Sequence, residues 1–562
     1  MAEPRRESTG RATIQMAVGT TLSRVTGLAR WVAFAYALGF VRLSDAYNLA
    51  NTTPNIIYDL VLGGVLSATL IPVFVSRLTA ADEKEGWEAV SAVTTLATAL
   101  LFGLTVAFEL AAPAVIHLYM VGNHSASAGA EARTATTLLR LFAPQLGLYG
   151  LITLVNALLN TRRHFAAPMF SPVLNNVVAI GVYLAFRHLA HGVTVANAAS
   201  HPGAIWLLGA GTTAGVLVQL LVELPALWGA RVHLRWRWDP GHEAVRAMLR
   251  LSGWTFGWVA ANQVALWVVL VLANRRTGDV SAYLVAWQFF QLPYGVAAVS
   301  IMSAIQPSMA ERWTLGDSAG FRQRAVSGLR ASSAVMVPSA VGYVLLAKPA
   351  VDLFLRHGHL SAAAAHTTAV VLAFLALGLP GYSAFLLLTR AYQAMQDTRS
   401  AFYVYLVENG VNVVVAFALY PTMGVRGVAL SISVAYTVGA AVALEHLRRR
   451  MGGLEGPFLL RHAGRVAAAA AAMGVVVALV GAAIPGDSPI LLAGRLVAAV
   501  VSGLATYLAV AGAMASRGGP PRPGPPAGGP PLRPGPPTGA PIRVGRGYAG
   551  RAAGPDRQGG WR

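Results

Sequence analysis

VNALLNTRRHFAAPMFSPVLNNVV (residues 155–178) and YQAMQDTRSAFYVYLVENGVNVVV (residues 392–415) carry one pattern twice. At a constant offset of 237, Ala157, Thr161, Arg162, Asn175, Val177 and Val178 meet Ala394, Thr398, Arg399, Asn412, Val414 and Val415. Ala46-Tyr47 faces Ala282-Tyr283 at nearly that offset. The identity is sparse, and chance likeness between apolar segments is the alternative. A shared Thr-Arg step and a shared Asn, however, are not what apolar composition alone produces. Self-similarity at a fixed offset is the signature of a repeated architecture.

The surrounding composition says what kind of repeat this is. Of 562 residues, 55% are apolar and 12% charged, with mean hydropathy +0.55. Soluble chains carry about 25% charged residues, so this surface cannot be clothed for water. The same numbers exclude disorder for most of the length. Continuous apolar runs of about 20 residues are spanning helices, and alternating barrel strands are absent from the pattern. The runs lie at about 12–38, 55–76, 89–120, 135–160, 168–187, 203–228, 247–273, 281–308, 325–348, 362–392, 400–420, 425–446, 463–484 and 489–515. The expectation is an all-α polytopic membrane protein of about 14 transmembrane helices. Six spans separate the two copies, so both halves share one orientation. This is a parallel repeat with a pseudo-two-fold axis along the membrane normal, typical of alternating-access transporters.

The expected organisation is an arm at 1–11, a six-helix lobe at 12–228, a second at 247–446, helices 13 and 14 at 463–515, and a tail at 516–562. The tail is Pro/Gly/Arg-rich and reads as disordered. It is either an inert basic segment near anionic headgroups or a PxxP ligand. Net charge is +20, which in a soluble chain would suggest nucleic acid. Here the basic residues crowd the arm and the even-numbered connections, about 22 against about 7 in the odd-numbered ones. That bias places both termini in the cytoplasm and no nucleic acid among the partners. There is no cysteine, which removes disulfide and thiol chemistry. No HExxH, P-loop or CxxC motif is found, so the expectation is no enzyme and no bound cofactor.

Candidate site residues are the polar groups that lipid would not tolerate. Arg24 and Arg30 lie in the first apolar run, about 120° apart on a helix. An arginine facing lipid there is costly; two guanidinium forks on a cavity suit diphosphate or carboxylate. The alternative is that Arg30 pairs with Asp45 or Asp59 and fixes packing. Asp45 opens the second span, where Pro54 and Asn55 interrupt the helix, followed by the small-residue run Gly63 to Ala68; ordinary helix-start chemistry is its alternative. Glu109 and Glu223 are further ionisable residues within spans. Glu408 and Asn412 share a face, where their oxygens suit a cation or an interhelical hydrogen bond.

The stretches SRVTGLARWVAFAYALGF, SDAYNLANTTPN and LVLGGVLSATLIPVF, all within residues 23–75, resemble the start of the MurJ (MviN) lipid II flippase family. This family belongs to the multidrug/oligosaccharidyl-lipid/polysaccharide exporter superfamily. Residues 143–176, 291–310, 353–360 and 389–402 extend the resemblance in order over most of 12–450, in a style that looks actinobacterial. The resemblance implies two six-helix lobes around a cavity, with helices 13 and 14 forming a groove for a lipid tail. It implies lipid II as substrate, the undecaprenyl-diphosphate-linked disaccharide-pentapeptide, and a bacterial cytoplasmic membrane. Arg24 and Arg30 would bind the anionic headgroup, and Asp45 would be a gate or cavity carboxylate. Many members carry a cavity arginine at or near Gln288, an Arg-Arg pair at Tyr58-Asp59 and a Glu at Gly63. The cavity here would thus be less cationic. Some members bind Na⁺, for which Glu408 and Asn412 are the candidates; H⁺ or membrane potential are the other drivers. Another exporter of the superfamily, moving polysaccharide or teichoic-acid carriers or drugs, is the alternative function. A non-transporting scaffold that recruits cell-wall synthesis proteins is another.

Overall fold

The structure is a computed structural model that describes residues 9–60 and 83–516, apart from 163, 231, 244, 247–252 and 487. The small-residue run 63–68, most of the arm and nearly all of the tail lie outside the described residues. Among the described residues, fourteen helical segments follow in chain order. They are α1 (Thr9–Leu38), α2 (Arg42–Tyr58), α3 (Glu83–Tyr119), α4 (Ala128–Thr161), α5 (Ala166–Leu189), α6 (Pro202–Gly229) and α7 (Gly253–Ala273). Then come α8 (Asp279–Thr314), α9 (Ser318–Leu355), α10 (Ala362–Ala376 with Leu379–Ala394), α11 (Thr398–Met423), α12 (Val425–Arg450), α13 (Gly456–Ala483) and α14 (Pro489–Ser516).

Among the described residues, eleven of these are long and apolar enough to cross a membrane, and the bent α10 makes up to twelve. The first two segments fall short for readable reasons. Helix α1 carries Arg24 and Arg30, and the described part of α2 is only 17 residues.

The repeat is visible in the packing. Helix α1 packs on α5, α5 on α6, α4 on α6, α2 on α4 and α3 on α4. Each pairing recurs six helices later: α7 on α11, α11 on α12, α10 on α12, α8 on α10 and α9 on α10. The chain therefore forms two six-helix lobes of like architecture, plus α13 and α14. Between lobes the contacts run through α2 with α8, α1 with α8 and α9, and α3 with α7. Helix α13 lies on α9, and the Tyr507 hydroxyl of α14 donates to Ala334 O on α9 at 2.7 Å.

The repeated asparagines do the same job in both lobes. Asn175 on α5 donates to Gln219 on α6 at 3.2 Å, and Asn412 on α11 accepts from Ser431 on α12 at 2.9 Å. Each satisfies a buried polar group by tying its helix to the next one. Helix starts follow local chemistry. Asp317 and Asp397 cap α9 and α11, accepting from Gly320 N and Ser400 N. The Gly320 amide and then the Arg312 guanidinium hold the Asp317 carboxyl below its usual range.

Two details depart from the reading of the sequence. Helix α2 starts at Arg42, well before the expected 55, and runs through Pro54 without a break. Asp45 is therefore inside its first turn. The tenth span is not one rod: α10 bends by 49° at Leu377–Gly378. Gly378 sits against α12, where a Cβ would lie 2.7 Å from Ser433 Cα, and Pro380 then restarts the helix. Below, the end bearing the α8–α9, α10–α11 and α12–α13 turns is the arm end, and the end bearing the α1–α2, α7–α8 and α9–α10 turns is the far end.

Candidate functional site: a closed far end and a cationic cavity

At the far end the first turn of α2 crosses the α7–α8 turn, and both ends of that turn are engaged. Asp45 accepts from Gly278 N at 2.6 Å, from Ser281 N at 3.0 Å and from Ser281 Oγ at 2.8 Å. These donors belong to the N-terminus of α8, where a carboxylate meets free amides and a favourable dipole. Arg42, one turn earlier, donates to Asn274 O at 2.8 Å and Arg275 O at 3.5 Å, the carbonyls at the C-terminus of α7. One helix end thus supplies an anion for an N-terminus and a cation for a C-terminus. Arg42 also pairs with Glu131 at 3.2 Å, which accepts from Asn123 at 3.1 Å. Asn48 and Ser44 complete the seam around the Ser281 hydroxyl. Ser44, Asp45, Glu131 and Ser281 are fully buried.

Gly278 makes this approach possible. Its φ is +84°, and a Cβ there would lie 2.7 Å from Phe40 O. A second contact closes the same end: His359 N, in the α9–α10 turn, donates to Tyr36 O of α1 at 3.2 Å.

Deeper toward the arm end lies a cavity of about 330 Å³ between α1, α5 and α8. Arg24 and Gln288 line it together, with Thr20, Ser23, Trp31 and Met169. Arg24 is exposed and has no carboxylate partner among the described residues. Opposite it, α8 widens into a single π turn at Tyr294–Ala298 directly after Pro293. A Cβ on Gly295 would lie 3.2 Å from the Arg24 guanidinium carbon, so the glycine leaves room for that side chain.

Arg30 is placed differently. It is not on the cavity lining but six residues, about 9 Å, closer to the far end. It lies 5.7 Å from the Trp31 ring, within electrostatic reach of the Tyr47, Tyr149 and Tyr183 hydroxyls. It pairs with neither aspartate: Asp45 is bound to α8, and Asp59 accepts from Gln263 on α7 at 3.1 Å.

The C-terminal lobe adds a cation that the sequence reading missed. Arg390 on α10 is exposed, donates to Gln393 at 3.2 Å, and reaches Tyr294 electrostatically, as Arg24 does. The two guanidiniums approach one tyrosine from different lobes. The only signal in the sequence was an arginine inside an apolar run at 381–395, the same signal that singled out Arg24.

Glu408 and Asn412 share α11 but not their surroundings. Glu408 is 2% exposed, and its Oε2 has no hydrogen-bond partner among the described residues. It sits against Gly439 of α12 and within reach of Tyr382, Tyr405 and Tyr436. Asn412 is occupied by Ser431, and Asn409 donates to Asn262 on α7 at 2.7 Å. Glu223 accepts from Ser171 at 2.5 Å within the first lobe. Among the described residues no cluster of His, Asp and Glu is arranged to hold a metal ion.

Residues 34–489 match the family described as lipid II flippase MurJ. The chain belongs to the MurJ family. This is a family of flippases, not of enzymes, and its helices make the chain an integral protein of the cytoplasmic membrane. It is 26% identical to the probable lipid II flippase MurJ of Rhizobium meliloti, over 88% of this chain and 92% of that one. To the lipid II flippase MurJ of Burkholderia cenocepacia it is 28% identical, over 78% and 84%. Its fold is like that of a lipid II flippase MurJ solved in an inward closed conformation, with TM-score 0.72 and 19% identity over 90% of this chain and 99% of that one. An inward-facing transporter of the multidrug resistance MATE family shares the fold at TM-score 0.63 and 16% identity, over 79% and 99%. The MurJ-type architecture thus frames both the seam and the cavity.

Proposed function

We propose that this chain moves lipid II from the inner to the outer leaflet by alternating access. The observation that carries the reading is an exposed Arg24, with no carboxylate partner among the described residues, in a cavity beneath a far end shut by the Arg42 and Asp45 seam. A diphosphate entering from the arm end would meet Arg24 and Gln288, with Arg390 across the cavity and Arg30 further along the path. A sugar-peptide headgroup cannot cross hydrocarbon unsolvated, and the cavity replaces water for it. The undecaprenyl tail would stay in lipid along α13 and α14, whose Val475, Leu479, Val500, Leu504 and Leu508 are exposed. Release outside requires the α2–α8 seam to part.

We place the arm end, and both termini, in the cytoplasm, on the strength of the basic bias. The chain lacks cysteine, so Leu315→Cys and Leu189→Cys report each end separately. Leu189 should react with an impermeant maleimide on intact cells, and Leu315 only after permeabilisation. For the driving force, the orphaned Glu408 oxygen suits uptake of a proton or cation, whereas the oxygen of Asn412 is already engaged.

Complementation tests the function. The resident lipid II flippase of a bacterium is depleted and this chain is expressed as wild type or Arg24→Ala, with membrane levels checked. Rescue by the wild type and loss in the variant is expected. Failure of the well-inserted wild type, there and in lipid II proteoliposomes, would shift the reading to another lipid-linked or drug substrate.

A further inference from the structure

The connection between the two lobes contains RVHLRWRWDP, residues 231–240, in which arginine and tryptophan alternate. From Val232 on it has no helix and lies as an extended strap on the first turns of α3. It is fastened there at several points. Arg235 N donates to Ser91 Oγ and Arg237 N to Thr95 Oγ1, each at 3.1 Å. The Arg237 guanidinium pairs with Glu88, and with Asp239 at 3.6 Å. The His233 ring meets the Trp87 ring edge-on, 5.9 Å between centroids.

The fastened strap holds apolar side chains outward. Trp236 is 73% exposed and Trp238 61%, while Leu234 and, at the end of α6, Trp228 are exposed too. Folding does not explain these rings, because they cover no core. Arg235 is exposed, and neither it nor the nearby exposed Arg246 has a carboxylate partner among the described residues.

The depth of the strap follows from the helices beside it. Helix α6 carries an exposed Trp206 near its start and Trp228 near its end. Twenty-two residues of helix separate them by about 33 Å, close to the ~30 Å of the hydrocarbon core. Tryptophan prefers the two edges of that core, so this pair marks its boundaries. The strap begins just after Trp228, at the headgroup level of the arm-end leaflet. Helix α3 gives the same depth independently. Its 37 residues extend about 55 Å, well beyond the hydrocarbon, and the strap lies on its overhanging first turns.

We propose that residues 232–239 form a docking surface for anionic phospholipid headgroups. Leu234, Trp236 and Trp238 enter the interfacial layer, and Arg235 takes the lipid phosphate. Charge complementarity selects this occupant. A neutral surface would reward the rings but not the exposed guanidinium, whereas an anionic surface attracts each basic residue held near it. Because the strap joins the lobes, the lipid holds the connection against the bilayer as they move.

Quenching of tryptophan fluorescence by brominated lipid tests this on the full chain, in vesicles without transport substrate. Brominated phosphatidylglycerol and brominated phosphatidylcholine are compared in a phosphatidylcholine background. The strap signal is the wild type minus a Trp236→Phe/Trp238→Phe double variant, which keeps the fastenings and the aromatic bulk. Brominated phosphatidylglycerol should quench that signal at severalfold lower mole fraction than brominated phosphatidylcholine, and Arg235→Gln should bring the two lipids level. A strap signal that neither lipid quenches overturns the proposal. So does equal quenching by both lipids in the wild type, or a preference that survives Arg235→Gln. Since no substrate is present, failure here is distinct from failure of the flippase reading.

Discussion

The two ends of the path differ in how they treat polar groups. At the far end, Arg42 pairs with Glu131 and Asp45 with Ser281, all buried except the part-buried Arg42. At the cavity, Arg24 is exposed and has no carboxylate partner among the described residues. A buried charge stripped of its partner costs several kcal/mol, so the seam is rigid while its bonds are whole. A guanidinium in a wet cavity contributes little to folding and is free to meet an anion. The seam ties the two lobes together at the far end, and the cavity leaves its guanidinium accessible.

Thermal unfolding in detergent should break the comparison first at Asp45. Asp45→Ala leaves the amides of Gly278 and Ser281 without an acceptor, and a loss of about 3 kcal/mol is expected. An unchanged midpoint would mean that the seam does not tie the lobes together. Gly278→Ala comes next, about 1–3 kcal/mol, since it combines positive φ with the close approach of Phe40 O. If it were as stable as wild type, the α2–α8 approach would have to be looser than described.

The His359 imidazole, carried by the residue whose backbone amide meets Tyr36 O, gives a smaller, pH-dependent effect. Burial, Arg187 and His191 all lower the pKa of His359. Its neutral form is favoured in the folded state, so its contribution is complete above the ordinary imidazole range. That contribution is lost as pH falls from there through the lowered value. Acidification should therefore increase far-end labelling of single-cysteine variants, and His359→Gln should flatten that dependence. Arg24→Ala should change stability least, within about 0.5 kcal/mol. Transport in the same variant should fall about tenfold or more, equivalent to ~1.4 kcal/mol of lost anion binding. A large stability loss would make Arg24 a structural residue and remove the contrast between the two ends.

Much of the architecture was legible because membrane insertion is a one-dimensional problem. Span length, charge between spans and the 237-residue offset are all read along the chain, and the packing repeats six helices on. Arg24 was legible because an arginine in an apolar run needs an explanation, whereas Gln288 beside it was reached only through the family resemblance. Arg390 carried the same signal but went unread among the matches at 389–402. The bend of α10 was missed because Gly378 is required by Ser433, 55 residues away, and a periodicity argument cannot see that contact.

The sequence by itself determined the helical class, the two-fold repeat and the family. Each follows from local apolar length or from motifs in linear order. Only the tertiary structure decided what the charged residues do. It set Asp45 against the N-terminus of α8 and not in the cavity. It separated Arg30 from both aspartates, left a Glu408 oxygen without a partner among the described residues, and pinned a Trp/Arg strap to α3. The physical reason is that the worth of a charge depends on its desolvation and its partners, and those are set by helices far apart in the chain.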